Sequence, residues 1–325
     1  MAIPPRFVVL TSANVEAGMV IEYLVRTTGV TVERIYLDTL ADQPTKGRAR
    51  HRAKSSDRPS RWRRIGWHLR LARRLPRYYA WRALEKVTGL PQLSLLRLCE
   101  KLSPYLFRKA CGVAFDPGLV AHGRLMHTLE EAAAKNQIPL TVTANINSED
   151  TVQSLTELRP DVIIGLGTRI LSEAIIGTAS LGVLNGHSSL LPAYRGSTTE
   201  FWQLVGGESV TGVTIHWMAA RVDQGPICAQ RRWPIPRGAD HYLLRLMSLF
   251  YRLETWAEVI RGLQSGTLES RQQGPSPTPT FRRPTVRQEY DYYCKGVCPI
   301  VMTTEQAVTS PSLTRQRDRP RAGKP

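Results

Sequence analysis

The densest concentration of reactive residue types runs from Asn185 to Gly196, reading NGHSSLLPAYRG, and is followed downstream by Asp223-Gln224-Gly225-Pro226. Asn185 and His187 are two residues apart at the carboxyl end of a β-rich run, so on extended backbone their side chains point to the same side. Imidazole exchanges protons near neutral pH, and an amide N–H can bond a developing oxyanion. A carboxylate at Asp223 can orient His187 and favour its charged form. This set suits attack by an external amine or water on a carbonyl. It does not suit a protein nucleophile, because Ser188 and Ser189 adjoin His187 without a G-x-S-x-G elbow.

Such residues need a frame, and hydrophobic periodicity predicts one. Phe7–Thr11 reads as a buried strand, Ala13–Thr27 as a helix and Thr31–Leu37 as a second strand, a β-α-β opening that favours a parallel sheet covered by helices. After an interruption the alternation resumes: a helix over Arg124–Lys135, a strand over Pro139–Thr143, a helix over Ser148–Leu158, and strands over Asp161–Gly165 and Ser180–Leu184. Gly212–Met218 alternates as a strand, with His216 on the face of Thr214 and Met218, and Ile227–Ile235 is its expected partner. From Ala239 to Leu263 apolar residues recur at helical spacing. The fold class expected is α/β, a Rossmann-like, mostly parallel sheet flanked by helices. Residues 1–265 would form this domain, and 266–325 a short extension ending in a basic, disordered tail.

The interruption, residues 42–109, is a basic helical insert. Between Lys46 and Lys86 there are 15 Lys and Arg against Asp57 and Glu85, a net of +13; from Ser312 to Pro325, 5 stand against Asp318, a net of +4. These two segments account for the whole formal charge of +17, so the remaining 24 basic and 24 acidic residues balance. The charge therefore says little about the reaction. Trp62, Trp67, Tyr78, Tyr79 and Trp81 are interleaved with the arginines of 46–86, a composition that suits an anionic membrane surface, a nucleic acid, or the phosphates of a nucleotide-linked substrate, besides a plain solvated excursion.

Five scattered cysteines form no disulfide framework and suit a reducing compartment. The apolar run Phe7–Leu10 is shorter than a secretory-signal core of roughly 7–15 residues, and no stretch approaches the ~18 apolar residues of a spanning helix. A soluble, cytoplasmic protein is expected, with membrane-surface attachment open. Cys294 and Cys298 have neither the spacing nor the nearby His of a zinc site, so no metal is expected. Cys228 and His216 read as core or wall residues of strands.

The stretch Pro160–Ile235 resembles the catalytic core of the folate-dependent formyltransferases, the group that includes glycinamide ribonucleotide, methionyl-tRNA and nucleotide-aminosugar formyltransferases and a related formyltetrahydrofolate hydrolase. The resemblance is carried by Asp161-Val162-Ile163-Ile164, Arg169-Ile170-Leu171, Asn185-x-His187, Ser189-Leu190-Leu191-Pro192, Tyr194-Arg195-Gly196, Gly212-Val213-Thr214-Ile215-His216 and Val222-Asp223-x-Gly225-Pro226-Ile227. It implies that Asn185, His187 and Asp223 are the catalytic trio, with His187 as general acid/base, Asn185 as a second oxyanion donor and Asp223 setting the charge of His187. It implies 10-formyltetrahydrofolate as formyl donor, with Arg169, Ile170 and Leu171 lining the pterin pocket and Ser189, Leu190, Leu191 and Pro192 forming the adjoining loop.

The acceptor implied is a primary amine, with an amino sugar leading. Ser12 and Asn14 stand where the ribonucleotide enzyme has a glycine-containing phosphate loop; they can bond an anion at a helix N-terminus, but the glycine is missing. Tyr194 and Arg195 are candidates for the acceptor entrance. Only some 60 residues follow the long helix, where the tRNA enzyme has a β-rich second domain; this weakens the tRNA reading, although the basic insert could substitute. A methionyl-tRNA or glycinamide ribonucleotide formyltransferase, donor hydrolysis, and a non-catalytic role as a basic RNA- or membrane-binding protein are the alternatives. The intact trio argues against the last.

Overall fold

The computed structural model describes residues 5–12, 14–39 and 127–295. The insert 42–109 with its basic block 46–86, the chain beyond 295, and Cys99, Cys111 and Cys298 lie outside the described residues.

Strand β1 (Phe7–Thr11) is buried at every position and pairs in parallel with β2 (Val32–Asp38) on one side and β4 (Val162–Leu166) on the other. An uninterrupted apolar strand is what the centre of a parallel sheet requires, because helices cover both faces. β3 (Leu140–Thr143) extends the sheet beyond β2, and β5 (Gly182–His187) lies parallel to β4. Two antiparallel strands, β6 (Val210–Trp217) and β7 (Ile227–Pro234), complete the order β3-β2-β1-β4-β5-β6-β7. The protein is thus α/β with a mostly parallel sheet, and strand order reverses between β1 and β4, where such sheets open a crevice at their carboxyl ends.

Helices α1 (Asn14–Thr28), α2 (Leu129–Lys135) and α6 (His241–Ser265) pack on one face, where Phe7, Val9, Ile35, Val162, Leu244, Phe250 and Trp256 share a core. Helices α3 (Glu149–Leu158) and α4 (Glu173–Ile176) cover the other, over Val8, Leu10, Tyr36 and Ile163. Polar caps set where these helices begin. Thr128 and Glu131 form a reciprocal capping box, Ser148 caps α3, and the Asp240 carboxylate accepts the Leu243 N–H at 2.8 Å. That cap starts α6 at His241, two residues beyond the first apolar position of the pattern.

Two features differ from the sequence pattern. β5 does not stop at Leu184; Asn185, Gly186 and His187 continue it because His216, Ile215 and Thr214 of β6 pair with them. Helix α5 (Thr199–Val205) has no apolar stripe to announce it, since all seven residues are buried. The segment after Gly266 returns to the domain. Arg271 bridges to Ile227 and Phe281 to Gly196, and a short helix α7 (Val286–Tyr290) leads into a π-helical turn, Asp291–Lys295, whose Tyr292 and Tyr293 pack on Phe201. Cys228 packs against the core with its thiol pushed up to about 12 by burial. Among the described residues no helix is long and apolar enough to cross a membrane.

Candidate active site

The strand pairing that extends β5 also assembles the site. Asn185 lies directly opposite His216 across the β5–β6 ladder, and both meet Asp223, which the loop after β6 brings back to the carboxyl end of β5. His187 is buried, with Nε2 2.8 Å from the Tyr194 carbonyl oxygen. A carbonyl only accepts, so Nε2 carries the hydrogen, and Nδ1 faces Asp223 Oδ2 at 3.5 Å. Nδ1 is therefore the nitrogen that can gain or lose a proton beside a carboxylate. Burial holds the His187 imidazole below its ordinary range, opposed by the charge of Asp223 and the bond to Tyr194.

Asp223 is the hub. Burial pushes its carboxyl up, but the bond to His216, the charge of His187 and the Gly196 N–H on Oδ2 at 2.8 Å outweigh it and bring it to about 2. Its backbone is left-handed, φ +53°, a conformation that costs a non-glycine residue about 1–3 kcal/mol. His216 donates Nδ1–H to the Trp217 carbonyl at 2.8 Å, and its Nε2 stands 3.6 Å from Asp223 Oδ1. Asn185 Nδ2 lies 3.2 Å from that nitrogen and 3.4 Å from Asp223 Oδ1. The Asn185 N–H groups expected to face a ligand are thus turned to protein partners, through bonds long enough for an oxyanion to compete for them.

The loop after β5 is built to hold His187. The Ser189 hydroxyl donates to the Ala193 and Tyr194 carbonyls, Leu191 is buried with its N–H on Thr214 Oγ1, Leu190 packs over Gly212, and Pro192 is half-buried. Tyr194 and Arg195, expected at an acceptor entrance, are both buried. The Tyr194 hydroxyl donates to Glu208, and the Arg195 guanidinium donates to the Asp223 carbonyl and to Gln273. Both side chains are engaged by protein partners behind the site.

Of the pterin-pocket candidates, the Arg169 guanidinium is tied to the buried Asp38 carboxylate at 2.5 Å and Leu171 belongs to the core, whereas Ile170 is 79% exposed. Ser12 follows β1 at the strand-order reversal, and its buried hydroxyl has no hydrogen-bond partner among the described residues. The Asn14 side chain lies outside the described residues.

Three contributors carry no signal readable in one dimension. His216 joins the trio only through cross-strand pairing. Gln273 comes from the segment after α6. Arg252 of α6 donates to the Gly186 carbonyl at 3.2 Å while pairing with Glu16 of α1, so it braces the backbone between Asn185 and His187. Gly186 lets α6 close on this strand, since a Cβ there would stand 3.0 Å from Trp256 Nε1. Among the described residues no group of three His, Cys, Asp or Glu is arranged to hold a metal.

Residues 123–247 match the family described as formyl transferase. The methionyl-tRNA formyltransferase of Pelobacter propionicus is 31% identical over 156 residues, which are 48% of this chain and 49% of that protein. The bifunctional polymyxin resistance protein ArnA of Wigglesworthia glossinidia brevipalpis is 40% identical over 104 residues, 32% of this chain and 16% of that protein. The chain thus spans about half or less of the length of these curated relatives. Glycinamide ribonucleotide transformylase 1 from Symbiobacterium toebii superposes with a TM-score of 0.49 at 17% identity, covering 83% of this chain and 95% of that one. Asn185, His187, Asp223 and His216 converge inside the stretch that matches the formyl transferase family.

Proposed function

We propose that this protein transfers a formyl group from 10-formyltetrahydrofolate to a primary amine, with an amino sugar, nucleotide-linked, as the acceptor. The observation that carries the reading is the convergence of the His187 imidazole, the Asn185 amide and an ionised Asp223 on one buried point at the carboxyl end of β5. A donor of this kind brings a flat pterin and a formyl carbonyl. The residues present suit it: Ile170, 79% exposed in the loop after β4, and Val222, 45% exposed beside Asp223, leave apolar surface for a ring to cover.

The residues then divide the work. An amine attacking a formyl carbon develops negative charge on oxygen and sheds a proton from nitrogen. His187 Nδ1 is placed to take that proton and to return it to the tetrahydrofolate nitrogen as the tetrahedral intermediate collapses and the formyl C–N bond to the donor breaks, and Asp223 Oδ2 at 3.5 Å stabilises the cation formed in between. The Tyr194 carbonyl fixes the ring throughout, and Asn185 yields an N–H to the oxyanion. The buried Ser12 hydroxyl, without a hydrogen-bond partner among the described residues, supports a polar acceptor group bound there.

The test is to incubate the purified protein with 10-formyltetrahydrofolate, with and without a panel of amines. Donor consumption that requires an amine and yields an N-formyl product is expected. His187→Ala should lower its rate on the order of 10²–10⁴-fold. Consumption without any amine would make the enzyme a hydrolase. No consumption, unchanged by His187→Ala, would sink the reading.

A further inference from the structure

Residues 271–282 carry no motif that points to chemistry and lie beyond the stretch matched by the family, yet they cross directly behind the site. The side-chain amide of Gln273 is fully used: Nε2 donates to the Asp223 carbonyl at 3.0 Å and to the Gly225 carbonyl at 2.7 Å, and Oε1 accepts Arg195 Nη2–H at 2.8 Å. Arg195 Nε donates to the same Asp223 carbonyl at 3.1 Å. These bonds clamp a residue whose left-handed backbone does not hold itself, and whose carboxylate sets the charge of His187.

The strap's other end holds the facing loop. Phe281 exchanges backbone hydrogen bonds with Arg195 and Ser197 around Gly196, whose N–H reaches Asp223 Oδ2, and its ring stacks on Tyr194 with centroids 5.6 Å apart. Thr278 Oγ1 accepts the Tyr194 N–H at 2.7 Å, and the Tyr194 carbonyl in turn holds His187. The strap thus reaches Asp223 directly through Gln273 and His187 through Tyr194.

We propose that this strap belongs to the catalytic apparatus, with Gln273 as a positioning residue that fixes the Asp223 turn against the loop holding His187. The formyltransferase stretch is then incomplete without the segment after α6. This inference rests on the formyl-transfer reading for its kinetic consequence but not for its structural one. Misplacing a group by about 1 Å costs on the order of a hundredfold in rate. Loss of the clamp should therefore lower kcat and leave donor binding nearly unchanged.

Two full-length variants test it. Gln273→Met keeps the length and removes the amide; Gln273→Glu keeps an acceptor for Arg195 and removes both Nε2 donors. In both, kcat should fall roughly ten- to a hundredfold while KM for 10-formyltetrahydrofolate changes less than about twofold. Amide hydrogen exchange should quicken in peptides covering 193–197 and 221–226 and stay unchanged in β1 and β4. Wild-type kcat in either variant overturns the proposal, as does loss of protection throughout the sheet, which would mark a purely structural residue. If the wild type forms no N-formyl product, the reaction assignment fails. Exchange still reads the clamp, and unchanged exchange at 193–197 and 221–226 overturns it.

Discussion

Gly196 is the position at which the fold of the site is most exposed to a single methyl group. Its φ is +103°, outside the range of L side chains, and an added Cβ would stand 2.0 Å from the Phe281 carbonyl oxygen and 2.9 Å from its nitrogen. The contact must open by more than about 1 Å, which breaks the two backbone bonds joining Phe281 to Arg195 and Ser197 and draws the Gly196 N–H from Asp223. Backbone strain costs about 1–3 kcal/mol, two hydrogen bonds about 1 kcal/mol each, and overpacking about 1–3 kcal/mol. These overlap, because opening relieves the clash. Gly196→Ala should therefore lose about 3–5 kcal/mol.

A control separates strain from collision. Gly207 also has positive φ, +72°, but an added Cβ would meet nothing within 4 Å. Gly207→Ala should cost only the conformational part, about 1 kcal/mol. Urea unfolding of the two variants beside the wild type checks this, with formyl transfer measured at a temperature where all three are folded. Equal midpoints for the two variants, or full activity in Gly196→Ala, would refute the view that the strap's contact with Gly196 holds the site together.

Because burial lowers the basicity of His187, the acid limb of kcat/KM should lie below pH 6.5, as read from a profile at limiting donor. Asp223 and Glu200 raise the His187 pKa and His216 lowers it; removing the Asp223 charge in Asp223→Asn should move the limb to still lower pH, and an upward movement would contradict the geometry. The Asp223 carboxyl itself is depressed from 3.8 to about 2, so the stability it contributes is complete above pH 3.8 and is lost as pH falls toward 2. Arg252→Met leaves Glu16 without its partner and the Gly186 carbonyl without its donor; a loss of about 2–4 kcal/mol in urea unfolding is expected, with part recovered by adding Glu16→Gln.

Local patterning carried most of the frame. β1, β2, β3 and β4 lie within a residue or two of the runs that marked them, and α6 is shifted by two residues at each end, its start set by the Asp240 cap. Where a pattern depends on a distant partner it failed. β5 continues through His187 only because β6 pairs with it, and α5 shows no stripe because it is buried all round. The same division runs through the site. Asn185, His187 and Asp223 were readable from residue type, spacing and family resemblance, and the structure brings them together. Tyr194 and Arg195, candidates for the acceptor entrance, are both buried, because the loop needs the Tyr194 carbonyl under His187 and Asp223 needs a donor on its own carbonyl.

Residue order alone determined the α/β class, the neutral domain beneath a local excess of positive charge, and the chemistry available at the carboxyl end of β5, because periodicity, composition and side-chain type are local properties. Tertiary structure decided which groups do which task. It turned Nδ1 of His187 toward Asp223 through a carbonyl seven residues away, brought His216 to Asn185 across a ladder, and placed Gln273 behind a turn 50 residues earlier. Hydrogen bonds between residues far apart in the chain leave no period in the sequence, so only the folded backbone can reveal them.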